Sequence, residues 1–311
     1  MTSMQQFDCY GLTDPGQVRG VNGDQFLIAD LHKTMVIHGT SVDFTEHEPI
    51  VGDTQGRVLM VADGGGGWTA ERQASELVVQ TITRYLMNMM PWLYRLDVQH
   101  EDDFTDDLKV ALERSQRRLE AMAEAAEVPR DFGTTLTMAY ATWPRMYIVH
   151  VGNGRGYLLR QGGLEQITTD HTLAQQLVES GVLGQGEVLQ SQFSQMIWNA
   201  IGSDGSDIQA EVHKVWLQPG DTLLLCTDGL PKHVTHDELR YCLQAQESAQ
   251  RTCQRLIDLA NAGGGTDNIT AVVGRFGRET RSVEETLDDM NVIELPQESQ
   301  ETVAIAGEPT A

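Results

Sequence analysis

The sequence predicts an α+β domain in which β-sheets are faced by helices, and three observations support this fold class. Short apolar or alternating segments, separated by turn residues, recur between Asp24 and Phe276, as is typical of strands. Two longer stretches instead repeat their apolar residues with the period of a helix. The pair Gly162-Gly163 separates two strand-like segments, and a two-residue turn joins antiparallel strands. We therefore expect layered sheets that are not purely parallel.

The elements follow one another in a simple order. The predicted strands are 24–31, 56–64, 134–142, 145–153, 156–163, 164–168, 221–229 and 268–276. Between the second and third strands, one apolar stripe extends from Ala74 to Met89 and another from Leu108 to Met122, the latter after a Thr105 N-cap. Shorter helices are predicted at 173–179 and 248–261, ending before Gly181 and Gly263.

Composition narrows the possible functions of the 311-residue chain. Its formal net charge of −23 would repel a phosphate backbone, and no basic patch is apparent, so we expect no nucleic-acid binding. No run of eighteen apolar residues and no signal pattern is present, so we expect a cytoplasmic protein without a membrane segment. The cysteines form no CxxC pair, which favours free thiols in a reducing compartment: Cys9, Cys226, Cys242 and Cys253.

The end of the chain differs from the rest. Residues 279–311 contain nine acidic residues and one basic residue, and they contain no aromatic residue. Such a segment buries too little apolar area to offset the entropy lost on ordering. We therefore predict a catalytic domain over residues 1–278 and a disordered acidic tail over residues 279–311.

Acidic residues occur repeatedly at strand ends. Two apolar strands end in Asp-Gly, at Asp63-Gly64 and Asp228-Gly229, while Asp267 and Asp24 each stand just before a strand. A single Asp-Gly is more often a turn than a ligand. As a set, however, these carboxylates match the oxygen ligands that Mg²⁺ and Mn²⁺ prefer, and a bridging carboxylate suits a pair of such ions.

Seven motifs follow one another in order along the chain: Val18–Asp24, Val61–Gly67 with Ala74-Ser75, Phe132–Leu136, His150–Arg155, Thr169–His171, Pro219–Asp221 with Leu225–Leu230, and Asp267–Thr270. They resemble the motifs of the metal-dependent serine/threonine phosphatases, the protein phosphatase 2C type, in their bacterial form. The resemblance extends from about Gly11 to Phe276. It implies a four-layer αββα sandwich, in which two packed antiparallel sheets are flanked by helix pairs.

The resemblance also implies a role for each site residue. Asp63 would bridge two Mn²⁺ or Mg²⁺ ions, the Gly64 carbonyl would bind one, and Asp228 and Asp267 the other. Three further residues would complete the site: Asp24 acting through water from a second shell, Arg19 binding the substrate phosphate, and Asn268 orienting the site. The implied reaction is direct attack of metal-bound hydroxide on phosphoserine or phosphothreonine. Implied partners are phosphorylated proteins and an opposing serine/threonine kinase, with the enzyme itself expected to be a monomer.

Three positions depart from the family pattern. Gly23 stands where an acid is usual, Asn153 replaces the carboxylate expected to hold a third metal, and Gly65 replaces Met or His. A neutral amide carbonyl is a weak ligand, so a third ion is expected to bind weakly if at all. The segment 183–197, which corresponds to a flap beside the site, lacks the basic residues often present there.

Other interpretations stay open at this stage. The main alternative is a pseudophosphatase that binds phosphoproteins without turnover, and an acidic structural protein is a third. The glycine run Gly64–Gly67 lacks the Lys-Ser/Thr of a nucleotide loop, and a triad of Ser75, Asp170 and His171 lacks a nucleophile elbow. For His150, inside an apolar strand, we predict a hydrogen-bonded core histidine rather than a ligand.

Overall fold

Two five-stranded antiparallel sheets form the centre of the molecule. The computed structural model describes residues 7–35, 50–65, 69–93, 101–126, 133–202, 207–245 and 247–277. The first sheet has the spatial order β1 (Phe7–Asp14), β13 (Ile269–Phe276), β12 (Thr222–Cys226), β8 (Arg155–Arg160) and β9 (Gly163–Gln166). The second has the order β11 (Glu211–Trp216), β7 (Arg145–Val151), β6 (Leu136–Thr142), β3 (Ile50–Ala62) and β2 (Gln25–Met35).

A small third sheet, five α-helices and two short 3₁₀ helices (Gln185–Gln190 and Gln192–Gln195) complete the described part of the fold. The small sheet contains β10 (Ile201–Gly202), β5 (Gly133–Thr134) and β4 (Gly64–Gly65). The helices are α1 (Thr69–Leu93), α2 (Glu101–Ala126), α3 (Leu173–Glu179), α4 (His236–Gln244) and α5 (Ala249–Ala262). Within the described residues, no helix is both long and apolar enough to cross a bilayer.

Alternating side chains of the central strands pack into different layers. In β3, Met60 packs in a core with α1 and α2, whereas Leu59 points into the core between the two sheets. In β12, Leu224 packs with α4 and α5, whereas Leu225 again lies between the sheets. Burial on both faces explains why residues 58–62 of β3 and 223–226 of β12 are continuously apolar in sequence. The predicted αββα sandwich is thereby confirmed.

Several elements differ from the prediction. The edge strands β1 and β11 and the short helix α4 were not predicted, and β2 and β3 are longer than expected. The β8–β9 turn is one residue earlier than predicted, because Gly163 already pairs with Arg160. Its two loop residues, Gln161 and Gly162, both have positive φ, as a tight antiparallel hairpin requires. The predicted tail, 279–311, and the glycines at 66 and 67 lie outside the described residues.

Strand pairing brings distant segments to one end of the sandwich. The end of β12 pairs with the start of β13, at Cys226 and Ala271, and on its other side with the start of β8, at Arg155. In the second sheet, the end of β3 pairs with the start of β2, at Ala62 and Gln25. The loops that follow or precede these strands therefore share one end of the molecule.

Candidate metal centre

Three aspartates from separate segments line one cleft at this end. Asp63 directly follows β3, Asp228 lies two residues after the end of β12, and Asp267 lies two residues before the start of β13. The cleft has a volume of about 410 Å³, and its walls also include Arg19, Gly64, Asn153 and Asn268. The structure thus brings together seven of the eight site residues predicted from the sequence; Asp24, the eighth, lies behind the cleft wall.

The backbone of Asp63 is held in place by two threonines. Its carbonyl oxygen accepts hydrogen bonds from the Thr135 N–H (2.9 Å) and the Thr134 hydroxyl (2.8 Å). Its own N–H donates to the Thr135 hydroxyl oxygen (3.3 Å). Gly64, next in the chain, pairs with Thr134 in the small sheet. These bonds fix the strand end from which the Asp63 side chain and the Gly64 backbone reach the cleft.

Nitrogen donors hold the other two carboxylates of the cleft. The Lys232 ammonium contacts Oδ2 of Asp228 at 2.8 Å and Oδ2 of Asp267 at 2.7 Å. The Asn153 amide also donates to Asp228 Oδ2 (2.7 Å), and Arg19 Nε contacts Asp267 Oδ1 at 2.9 Å. Asn153 therefore presents a donor to this carboxylate rather than a ligand oxygen.

Asp24 is almost completely buried behind the cleft. Its Oδ2 accepts hydrogen bonds from the hydroxyls of Thr227 and Thr270, both at 2.7 Å. These threonines flank the ends of β12 and β13, so Asp24 links the loop before β2 to both strands. The residue is placed to support the cleft from behind.

Asn268 organises the loop between β1 and β2. Its side-chain oxygen accepts a hydrogen bond from the Gly23 N–H (2.8 Å), and its amide donates to the carbonyls of Pro15 and Val21, both at 3.0 Å. Arg19 lies between those two carbonyl residues in the chain. Asn268 therefore controls where the Arg19 loop runs.

Crowding of acids shifts their protonation equilibria. Burial raises the pKa of Asp63 well above its usual range, and the charges of three neighbouring aspartates raise it further. Burial raises the pKa of Asp24 to about 7, against the opposing effect of its threonine hydrogen bonds. Burial would also raise the pKa of Asp267, but hydrogen bonds and charge from Lys232 and Arg19 outweigh it and lower that pKa. The ionised forms of these aspartates are therefore stabilised by nearby positive charge.

The donor atoms of the cleft fit divalent cations. Three buried side-chain oxygens of this region have no hydrogen-bond partner: Oδ1 of Asp24, Asp228 and Asn153. Unpartnered buried oxygens carry a desolvation cost that a bound cation or water would remove. All the candidate ligands are carboxylate or carbonyl oxygens, the ligand type of Mg²⁺ and Mn²⁺. The residues present therefore suit the ions that the sequence implies.

A second group of potential ligands lies elsewhere in the fold. Ligand atoms of His150, His171 and Glu211 lie within 4.8 Å of one another. However, both nitrogens of His150 already have partners, the Thr137 hydroxyl (2.9 Å) and the Gly152 carbonyl (2.9 Å). His171 Nδ1 likewise accepts from the Gly152 N–H and the Asn199 amide. The prediction of a hydrogen-bonded core histidine at position 150 is confirmed.

The structure also gives a structural role to Ser75 and Asp170, two residues of the triad considered in the sequence. The Ser75 hydroxyl is buried and donates to the Gly23 carbonyl at 2.6 Å. Asp170 forms a buried ion pair with Arg155, at 2.6 Å between Nη2 and Oδ2. Both side chains therefore stabilise the fold through buried contacts.

Sequence reasoning missed Lys232 and the threonines that hold Asp24. Lys232 follows Asp228 by four residues, a spacing that lets a side chain reach back over one turn, and this was the available signal. Thr227 and Thr270 stand beside two predicted acids, but nothing in the sequence alone pairs them with Asp24. The flap segment is near the cleft as expected, since Gln195 and Ile197 line it.

Positive charge is also more localised than the sequence indicated. Four arginines from α1 and α2 surround one surface cleft, contrary to the expectation of no basic patch: Arg84, Arg114, Arg117 and Arg118. Residues one helical turn apart, and residues on two packed helices, become neighbours only in the fold. The net charge of the whole chain therefore does not reveal this local cluster of arginines.

Comparison with known proteins gives consistent matches over most of the chain. The sequence model of the family described as Protein phosphatase 2C matches residues 43–273, more than half of the chain. The serine/threonine protein phosphatase PstP of Mycobacterium tuberculosis is 34% identical over 217 residues, covering 70% of this chain. Those residues make up 40% of PstP, so the chain spans less than half of that relative's length. The serine/threonine phosphatase stp of Listeria welshimeri is 28% identical, covering 84% of this chain and 92% of its own.

Solved structures agree with the fold. A crystal structure of Mycobacterium tuberculosis PstP has a TM-score of 0.69 and 29% identity, covering 88% of this chain and 99% of its own. A structure of the PstP catalytic domain in complex with two manganese ions has a TM-score of 0.66 and 28% identity, covering 86% and 97%.

Proposed function

Because the chain belongs to the protein phosphatase 2C family, we propose that it is a metal-dependent enzyme that hydrolyses phosphoserine and phosphothreonine in proteins. One observation supports this most strongly: the carboxylates of Asp63, Asp228 and Asp267 come from distant segments and line a common cleft beside Arg19. The relatives described above are named as serine/threonine phosphatases, and one of them binds two manganese ions.

Four residues are proposed to hold two Mn²⁺ or Mg²⁺ ions. Asp63 would serve both ions and the Gly64 carbonyl one, while Asp228 and Asp267 would serve the other. When bound, such ions acidify water and neutralise negative charge on phosphoryl oxygens. Asn153 is not proposed as the ligand of a third ion, because its only ligand atom is a neutral carbonyl oxygen and its amide nitrogen already donates to Asp228.

The remaining site residues are proposed to position the substrate and the ligands. Arg19 is half exposed at the cleft and held through Nε by Asp267, so its guanidinium is placed to bind a phosphate. Asn268 holds the loop that carries Arg19, and buried Asp24 steadies the ends of β12 and β13. Each of these contacts limits how far the site can deform during the reaction.

The biological setting proposed for the enzyme follows its chemistry. Phosphorylated serine and threonine residues are produced by kinases, so an opposing serine/threonine kinase is the expected source of substrate. We propose that the enzyme acts as a monomer in the cytoplasm, within kinase and phosphatase signalling. The acidic segment 279–311 is proposed to lie outside the catalytic domain.

Phosphate release from a phosphothreonine peptide tests the proposed function. We expect turnover with millimolar Mn²⁺ and its loss on chelation with EDTA. Asp63→Asn should lower kcat by about 100-fold or more, since it weakens the ligand that serves both ions. Asp237→Asn, at an exposed position on α4, is the matched control and should retain activity.

Two results would contradict the proposal. One is no phosphate release from protein whose folding is verified by circular dichroism. The other is tight phosphopeptide binding without turnover, which would identify a regulatory phosphoprotein-binding module instead.

A further inference from the structure

A lysine ammonium lies between two of the proposed metal ligands. Lys232 Nζ is 2.8 Å from Asp228 Oδ2 and 2.7 Å from Asp267 Oδ2, and its side chain is only 16% exposed. These two carboxylates come from different strands, so the ammonium joins the end of β12 to the segment before β13.

The turn after β12 fixes this lysine in position. The Lys232 N–H donates to the Asp228 carbonyl at 3.2 Å, which curls the chain back over one turn. On either side, Leu230 and Val234 are buried in the core with α4 and α5. The backbone of Lys232 is therefore anchored, and its side chain reaches the aspartates without having to order a flexible loop.

The contacts of the two carboxylates show which of their oxygens remain available to bind a metal ion. Asp267 Oδ1 is held by Arg19, and Asp228 Oδ2 receives both Lys232 and the Asn153 amide. Asp228 Oδ1 is buried and has no hydrogen-bond partner. A divalent ion held by this pair would share its carboxylates with a fixed positive charge a few ångströms away, and like charges repel strongly in a partly buried site.

We propose that Lys232 is a built-in competitor of the metal ion that Asp228 and Asp267 bind. This proposal rests on the metal centre of the proposed function and adds that its two ions bind with different affinities. The ion at Asp228 and Asp267 binds more weakly than the ion at Asp63 and Gly64, although it has more carboxylate ligands. In the metal-free protein, the ammonium replaces part of the missing positive charge and keeps the two strand ends together. Lys232 acts through its aspartates and is thus a positioning residue.

Calorimetric titration with Mn²⁺ tests whether the two ions bind with different affinities. In the unmodified protein we expect two binding steps whose dissociation constants differ by about 10-fold or more. In Lys232→Gln the weaker step should tighten by about 10-fold, because the competing charge is gone. Lys232→Arg keeps the charge and should retain the weak step, while Lys109→Gln, exposed on α2, controls for removing a surface lysine.

Thermal unfolding gives a second readout that is independent of activity. Without metal, Lys232→Gln should have a lower Tm than the unmodified protein, because the acids lose their internal counter-charge. With saturating Mn²⁺ its rise in Tm should be larger, since tighter binding stabilises the native state more.

The outcomes separate this inference from the proposed function. If the unmodified protein binds two Mn²⁺ ions with equal affinity, or if Lys232→Gln binds the weaker ion no more tightly, the competitor role is wrong while the metal centre stands. If the unmodified protein binds no Mn²⁺, the metal centre itself is wrong and the competitor role falls with it. The titration of the unmodified protein decides the matter even if the variant fails to fold.

Discussion

Single polar residues in and near the cleft are held by hydrogen bonds to the backbone and to hydroxyls. His150 is the clearest case outside the metal centre, since it is fully buried and its Nε2 faces the carbonyls of Gly152 and Thr169. A nitrogen that faces carbonyl oxygens must carry the hydrogen, so Nδ1 is the acceptor for the Thr137 hydroxyl. The neutral ring thus satisfies every neighbour.

A pH titration follows from this arrangement. Burial first, and then the nearby His171, lower the pKa of His150 to about 4, although Glu211 and Asp170 act to raise it. An unfolded histidine titrates near pH 6.5. Between these values the native state binds fewer protons than the unfolded state, so the contribution of His150 to stability falls as the pH is lowered, by about 1.4 kcal/mol per unit.

Nuclear magnetic resonance of the imidazole nitrogens measures the protonation state of His150 directly. The His150 ring should remain the neutral Nε2–H tautomer at pH 5, with the signal assigned by its absence in His150→Gln. A titration midpoint near 6.5 would contradict the closed network described for this residue.

The residue scale also shows which site members a sequence can reveal. Asp63 and Asp228 could be selected as candidates because each follows an apolar strand and precedes glycine, and Asp267 because it stands just before an apolar strand and next to asparagine. Lys232 was not, because its contact with Asp267 depends on how a turn and a distant strand meet. Asn153 was expected as a weak ligand, but whether its oxygen or its nitrogen faces Asp228 is decided only by the fold.

At the scale of elements, prediction succeeded where burial dictates a pattern. Helix α3 was predicted with the observed bounds, and α5 differs by one residue at each end. The missed strands β1 and β11 are edge strands, and none of their residues is buried. Without burial on both faces, such strands lack the continuous apolar runs that identified β6 and β12.

The turn between β12 and Lys232 depends on the small size of Gly229. A Cβ added there would lie 1.9 Å from the carbonyl oxygen of Asn268, which is backbone and cannot rotate away. Gly229→Ala should therefore force Asp228 and Asn268 apart, lower the free energy of unfolding by roughly 1–3 kcal/mol and weaken Mn²⁺ binding.

Urea unfolding and calorimetry of Gly229→Ala would measure both effects. Gly186→Ala is the matched control, because a Cβ at Gly186 meets nothing within 4 Å. If Gly229→Ala behaved like this control, the close approach of the two segments would not be a requirement of the site.

At the scale of the whole molecule, three cores hold four layers together. One core lies between the sheets and one lies under each helix pair. The αββα order could be expected from the resemblance, whereas composition and periodicity alone gave only sheets faced by helices. What neither provided is the small third sheet that positions Gly64, because its strands are two residues long and carry no periodic signal.

Removing residues 278–311 tests the domain boundary. Because all three cores and every site residue precede Gly277, a chain of residues 1–277 should keep its Tm within a few degrees and its affinity for Mn²⁺. Differential scanning calorimetry with and without Mn²⁺ would measure both. A loss of cooperative unfolding would place part of the domain beyond that boundary.

The pairing of the first strand with the last one has a biosynthetic consequence. β1 pairs with β13, Gly23 bonds to Asn268, and Asp24 bonds to Thr270, so residues made early and late in translation meet at and behind the cleft wall. The proposed ion site would therefore be incomplete until Asp267 and β13 have left the ribosome. The proposed metal loading and phosphoprotein hydrolysis would thus be restricted to chains whose synthesis has passed β13.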